Sequence, residues 1–316
     1  MTLTADRFTS GCLARATRLS RDAHTVFYVE AGNPLGSPVV VLHGGPGSGS
    51  QPAVLHLFDL TRMRVVLVDQ RGTGASTPRG STRHNSTSYL IGDLEALREK
   101  LGIERWGVVG GSWGSALALA YAGRHPDRII GLVLRGLFLT STREVRSFFI
   151  TSRNRAPREW KQLRAATGGL RANRVLFQCA QRLKQGVNWA QQRAVALSWH
   201  RYEETILMRR PVRELRVSQR KTNRLISKYR IQAHYLQHAC WLGERKLLVL
   251  ARSAEHAGVP IFVAHGKHDP VCAVENVTRL EGAVSAVVVE RVVAGHLASE
   301  GALAHSVSRL VSLMLA

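Results

Sequence analysis

The chain has 316 residues, 45% of them apolar, enough for one large α/β domain with an insertion around a substantial buried core. Its 44 Lys and Arg against 22 Asp and Glu give a formal charge of +22, yet no apolar run approaches the roughly 18 residues of a membrane helix and Met1 to Thr17 lacks the unbroken apolar core of a secretory signal. The four cysteines (Cys12, Cys179, Cys240, Cys272) are too scattered for a disulfide framework or a metal site, so free thiols in a cytoplasmic protein are expected.

Thr17 to Ala31 carries strand signals, and Pro38 to His43 (Pro-Val-Val-Val-Leu-His) is apolar throughout, as in a strand covered on both faces. It ends in His43-Gly44-Gly45-Pro46-Gly47, where three glycines and a proline predict an irregular loop with exposed N–H groups, suited to stabilising an oxyanion. Arg64 to Val68 is the next buried strand, and it runs into the small-residue turn Asp69-Gln70-Arg71-Gly72-Thr73-Gly74-Ala75-Ser76. Neither turn has the Gly-Lys-Ser/Thr ending of a nucleotide cradle, which excludes a phosphate loop.

Asp93 to Lys100 reads as an amphipathic helix leading to a short strand from Trp106 to Val109, and Ala116 to Ala122 reads as a helix packed on a sheet. Between them, Gly110-Gly111-Ser112-Trp113-Gly114 fits G-x-S-x-G, in which glycines flank the serine because the backbone turns too sharply for side chains. Ser112 is then presented above the carboxyl end of the sheet, and the Trp113 N–H at the helix start faces any anion forming on a substrate. Arg128 to Phe138 adds a further strand.

From about Thr140 the residues turn Arg-, Gln- and Ala-rich with scattered aromatics, which predicts a helical insertion. Arg143 to Lys246 holds 24 basic against six acidic residues. Such an excess suits an anionic partner or simply a solvated helical surface, and the second is preferred. Strand signals resume at Lys246 to Leu250, Pro260 to His265 and Ala286 to Val293. The expected architecture is a doubly wound, mostly parallel sheet whose core (1–139 and 246–316) is interrupted by a helical cap (140–245).

A serine hydroxyl needs a base to accept its proton, and the base needs a carboxylate to hold its tautomer. In a doubly wound sheet these follow the serine, acid first and histidine second, each in a loop after a late strand. Asp269 in Gly266-Lys267-His268-Asp269-Pro270 and His296 in Ala294-Gly295-His296 meet that order. His268 and His305 are rival bases, but neither follows a strand and a glycine as His296 does. Cys272 reads as a small packing residue, with a place beside the pocket as the alternative.

His43-Gly-Gly-Pro-Gly47, Asp69-Gln-Arg-Gly-Thr-Gly74, Gly110-Gly-Ser-Trp-Gly-Ser115 and His265-Gly-Lys-His-Asp269, together with Asn85-Ser-Thr87 and Leu101 to Trp106, resemble the proline iminopeptidase (prolyl aminopeptidase) family of α/β hydrolases. The resemblance runs from about Ser20 to the C-terminus. It implies the α/β-hydrolase fold, a Ser112–Asp269–His296 triad, oxyanion donors at Gly45 and Trp113, a helical cap and neither metal nor organic cofactor. It also implies release of an N-terminal residue, preferentially proline, from peptides or aminoacyl amides through an acyl-enzyme. Two family motifs for the substrate's amino terminus appear as Trp199-His-Arg-Tyr-Glu203 and Arg230-Ile-Gln-Ala-His-Tyr235, so Glu203 is kept, while Gln232 stands where the family has glutamate and Glu204 is a candidate to compensate. An alternative keeps the triad for another amide or ester, such as a specialised metabolite; a third reading, a basic binding protein for nucleic acid, leaves the triad without purpose.

Overall fold

In the computed structural model the described residues are 14–169, 171–211 and 217–316, so Cys12 and the start of the N-terminal segment weighed as a signal lie outside them. Eight strands form one sheet: β1 (Ala14–Arg21), β2 (His24–Gly32), β3 (Ser37–Leu42), β4 (Met63–Asp69), β5 (Trp106–Gly111), β6 (Ile129–Arg135), β7 (Ile261–Gly266) and β8 (Val287–Val292). Their order is β1-β2-β4-β3-β5-β6-β7-β8, with β1 and β2 antiparallel to their neighbours and every later pairing parallel.

The inner parallel strands β3 to β6 are largely apolar at consecutive positions because both faces are covered, whereas the edge strand β8 is only partly buried. Val40, Leu42, Val66, Val68 and Val108 pack with helices α1 (Thr87–Lys100) and α2 (Trp113–Ala122). The intervening Val39, Val41, Val65, Leu67 and Val109 face the opposite layer. Alternation along each strand thus fills two cores.

Between β6 and β7 the chain is helical: α3 (Thr142–Arg146), α4 (Pro157–Ala166), α5 (Val175–Arg182), α6 (Trp189–Met208), α7 (Gln219–Gln237) and α8 (Gly243–His256). The strand expected at Lys246 to Leu250 is therefore helix. Leu247, Ala251 and Ala254 are its buried residues, a helical spacing, and they join the core that α2 also packs into. An apolar run of that length fits either element, and here the period decides. Helices α9 (Glu275–Glu281) and α10 (Gly301–Met314) follow β7 and β8.

Helices α4 to α7 share a separate aromatic core in which Trp199 stacks on Tyr229, with ring centroids 5.0 Å apart, and Trp160 lies against Tyr202. This layer rests on the loops that leave the sheet. A Cβ at Gly47 would lie 2.5 Å from the Lys228 carbonyl oxygen of α7, and the Tyr235 hydroxyl donates to Asn85 at 2.8 Å. The loops after β3 and β4 are thereby pressed under α7, at the carboxyl edge of the parallel strands.

Candidate active site

Ser112 occupies the single-residue turn between β5 and α2, with φ 55° and ψ −121°. A non-glycine residue there is strained, and its neighbours enforce the turn. A Cβ on Gly110 would lie 2.2 Å from the Gly114 carbonyl oxygen, and one on Gly114 would lie 2.0 Å from that of Leu42. Both flanking glycines of the motif are thus required by backbone contact. The Ser112 N–H donates to the Arg135 carbonyl at 2.8 Å, and the residue lines a cavity of about 450 Å³. Trp113 opens α2, so its N–H has no partner within the helix and carries the positive end of the helix dipole.

Opposite it lies the His43 to Gly47 loop. His43 is buried, its Nε2 accepts the Gln70 N–H at 3.1 Å, and its Nδ1 therefore donates to the Gly44 carbonyl at 2.9 Å. Because a trans peptide points its C=O and N–H in opposite directions, the Gly45 N–H is turned away from His43. Gly44 and Gly45 both line the cavity, and a Cβ on Gly44 would lie 3.2 Å from that of Ser112. Burial, against the pull of Asp69, lowers the pKa of His43 and favours this neutral donor–acceptor form. The Gln70 amide then joins both halves, donating to the His43 carbonyl at 2.9 Å and accepting from the Trp113 indole at 2.8 Å.

Asp69 shapes the next turn, accepting from Ser50 at 2.6 Å and from Ala75 at 2.8 Å. Arg71 is buried against Asp93 and further held by Asp22. The small-residue turn after β4 is thus a structural clamp.

Asp269 follows β7. Its Oδ1 accepts the Val271 and Cys272 N–H groups at 2.8 Å each, and its Oδ2 lies 2.6 Å from His296 Nδ1. Burial would raise its pKa, but the imidazole and those N–H bonds outweigh it and hold the carboxyl below its ordinary value. With Nδ1–H donating to Asp269, His296 Nε2 is the acceptor nitrogen. The histidine loop is pinned from two sides: Glu300 accepts the Gly295 and Leu297 N–H groups, and the Arg135 guanidinium donates to the His296 carbonyl. Gly136, at φ +56°, leaves room for the ring, since a Cβ there would lie 3.0 Å from His296 Cε1.

Ser112 and His296 line the same cavity, although among the described residues no hydrogen bond joins hydroxyl to ring. Such bonds are often long in unliganded enzymes and tighten around substrate. Cys272, also in the cavity wall and buried, neighbours the Ser112 hydroxyl, and burial pushes its thiol up. Asp269, Cys272 and His296 offer ligand atoms within 4.8 Å of one another. Their donor set is already committed to the carboxylate–imidazole bond and to a protonated thiol, so it fits proton transfer better than a metal. The rival imidazoles, His268 and His305, are exposed and do not line the cavity.

On the wall formed by α6 and α7, Glu203 is buried and receives three donors: Lys228 Nζ at 2.5 Å, Tyr229 at 2.8 Å and Gln232 Nε2 at 3.0 Å. Burial works against its charge, but Lys228 and these bonds prevail and lower its pKa. Gln232 lines the cavity beside it. Glu204 lies 3.9 Å from His200, outside the cavity lining. The other cavity carboxyl, Glu144, is consumed by the cap of α3 and by Leu139 and Asn276. The contacts that His43, Gln70 and Lys228 make behind the candidate site could not be read from the sequence, because nothing in their spacing marks a second layer.

The chain matches the sequence family described as the alpha/beta hydrolase fold over residues 37–302. It is 35% identical over 257 residues to a proline iminopeptidase of Xylella fastidiosa, covering 81% of each chain. It is 32% identical to the Neisseria gonorrhoeae proline iminopeptidase, over 93% of this chain and 94% of the other. Among solved structures, an esterase from Rhodococcus sp. ECU1013 superposes with a TM-score of 0.60 at 21% identity, covering 96% and 98% of the two chains.

Proposed function

For a chain that belongs to the proline iminopeptidase family of α/β hydrolases, we propose that Ser112, His296 and Asp269 form its catalytic relay. The enzyme is a serine hydrolase that releases an N-terminal residue, preferentially proline, from small peptides and amides. Ser112 Oγ attacks the carbonyl carbon of that residue while His296 Nε2 takes the proton and Asp269 holds the imidazole in its tautomer. The oxyanion rests on the Gly45 and Trp113 N–H groups, each such donor contributing roughly 2.7–4 kcal/mol of barrier lowering. His296 then protonates the departing amine, and water resolves the acyl-enzyme.

The observation that carries this reading is the 2.6 Å contact from Asp269 to His296, whose ring lines the same cavity as Ser112. The helical segment 140–245 acts as the cap: its α3, α6 and α7 supply part of the cavity wall, with Glu203 and Gln232 on the side that meets the amino terminus. No described helix is long and apolar enough to cross a membrane; we place the enzyme in the cytoplasm, in keeping with buried free thiols at Cys179, Cys240 and Cys272. A panel of aminoacyl arylamides tests the function: proline arylamide should be turned over fastest, and the Ser112→Ala enzyme should turn over none. Fast hydrolysis of acyl esters with no arylamide cleavage would refute it.

A further inference from the structure

An aminopeptidase must receive the substrate's terminal nitrogen against the wall opposite its serine, and a charged nitrogen there needs an unpaired carboxylate. The cavity wall holds two carboxyls among the described residues, Glu144 and Glu203. Glu144 is spent on Ser141, Leu139 and Asn276. Glu203 already carries a cation of its own, Lys228 at 2.5 Å. What remains unpaired is neutral: Gln232 Oε1 is buried without a hydrogen-bond partner, its amide nitrogen being committed to Glu203.

An ammonium offers donors only, and it would meet the Lys228 charge at this point. An uncharged secondary amine, such as that of an N-terminal proline, offers one N–H and one lone pair. Gln232 Oε1 accepts the first. Lys228 Nζ has three donors, of which Glu203 takes one and the Tyr229 hydroxyl, at 3.4 Å, is a weak second acceptor. A donor is therefore free for the lone pair.

The surrounding charges do not restore a need for an ammonium. Helix α6 brings His200, Arg201, Glu203 and Glu204, and α7 brings Lys221, Lys228 and Tyr229. Burial and Lys228 push His200 down to about 4, and burial raises Glu204. Besides Cys272, the other titratable groups of the cavity lining are the half-buried Arg135, the buried His43 and His296, and His56.

We propose that this subsite binds the substrate's N-terminal nitrogen in its uncharged form, through Gln232 Oε1 and Lys228 Nζ, with Lys228 supplying the charge that balances Glu203. The inference rests on the aminopeptidase reading above. It makes Lys228 and Gln232 specificity-determining residues and disfavours the protonated substrate.

The test is the pH dependence of kcat/KM for proline 4-nitroanilide, divided at each pH by the rate constant for inactivation by a fluorophosphonate, which senses Ser112 and His296 but has no amine. In the wild type this ratio should rise about tenfold per pH unit below the substrate amine's own pKa, measured by titrating proline 4-nitroanilide, and level off above it. Gln232→Glu and Lys228→Met should each flatten the rise by admitting the ammonium. A wild-type ratio that is flat at low pH and falls above the amine's pKa overturns the inference alone. Fluorophosphonate labelling with no anilide turnover at any pH overturns the aminopeptidase reading, and the inference with it.

Discussion

The Trp113 indole N–H donates to the Gln70 side-chain oxygen at 2.8 Å, a contact that fastens the serine turn to the loop after β4. The same amide donates to the His43 carbonyl, so one side chain spans both proposed oxyanion donors. Gln70→Ala should lower kcat for proline arylamide by roughly 10–100-fold through misplaced N–H groups, with KM little changed. Gln70→Glu should fall as far, because it has no donor for His43. Steady-state kinetics of the two variants check this, and unaltered kcat would dissociate Gln70 from the oxyanion site.

Asp269→Asn keeps the shape of the relay but removes the carboxylate that selects the Nδ1–H tautomer. A fall of about 10³–10⁴-fold in kcat is expected, with arylamide KM nearly constant. Because Asp269 is held below its ordinary pKa, it stays ionised across the working range. The acid limb of wild-type kcat should therefore not follow its protonation.

Glu203 has a lowered pKa in the folded protein, so its ionised form contributes stability above its unfolded value of about 4.3, and that contribution is lost as pH falls through the lower folded value. Glu203→Gln should destabilise the protein by about 1–3 kcal/mol at pH 7. The deficit should shrink as the medium drops below about pH 4. Urea unfolding at both pH values measures it, and a deficit that grows on acidification would reverse the assignment.

The Arg71 guanidinium is buried between Asp93 and Asp22, with Asp93 at 2.6 Å. Removing the Asp93 charge strands a buried cation, so Asp93→Asn should cost about 3–5 kcal/mol in urea unfolding. A loss within 1 kcal/mol would show that Asp22 and the His84 carbonyl suffice.

Much of the candidate site was readable from residues 110 to 114 and from the order of three loops. Close backbone turns demand glycine, and a strand covered on both faces is apolar throughout, so local composition reported both. The strand expected at Lys246 to Leu250 failed because a short apolar run is ambiguous, and α8 resolves it through Leu247, Ala251 and Ala254. The Lys228 pair with Glu203 could not be read at all. It joins two helices, and 25 residues of separation carry no local signature. His43 and Gln70 are likewise defined by what they hold in place.

In the proposed mechanism Ser112 attacks substrate with His296 as its base. Peptide mapping after treatment with a fluorophosphonate tests it most directly. The adduct should fall on Ser112 in the wild type, form far more slowly in His296→Gln, and be absent together with all proline arylamide turnover in Ser112→Ala. An adduct on another residue, or arylamide turnover that survives Ser112→Ala, would contradict it.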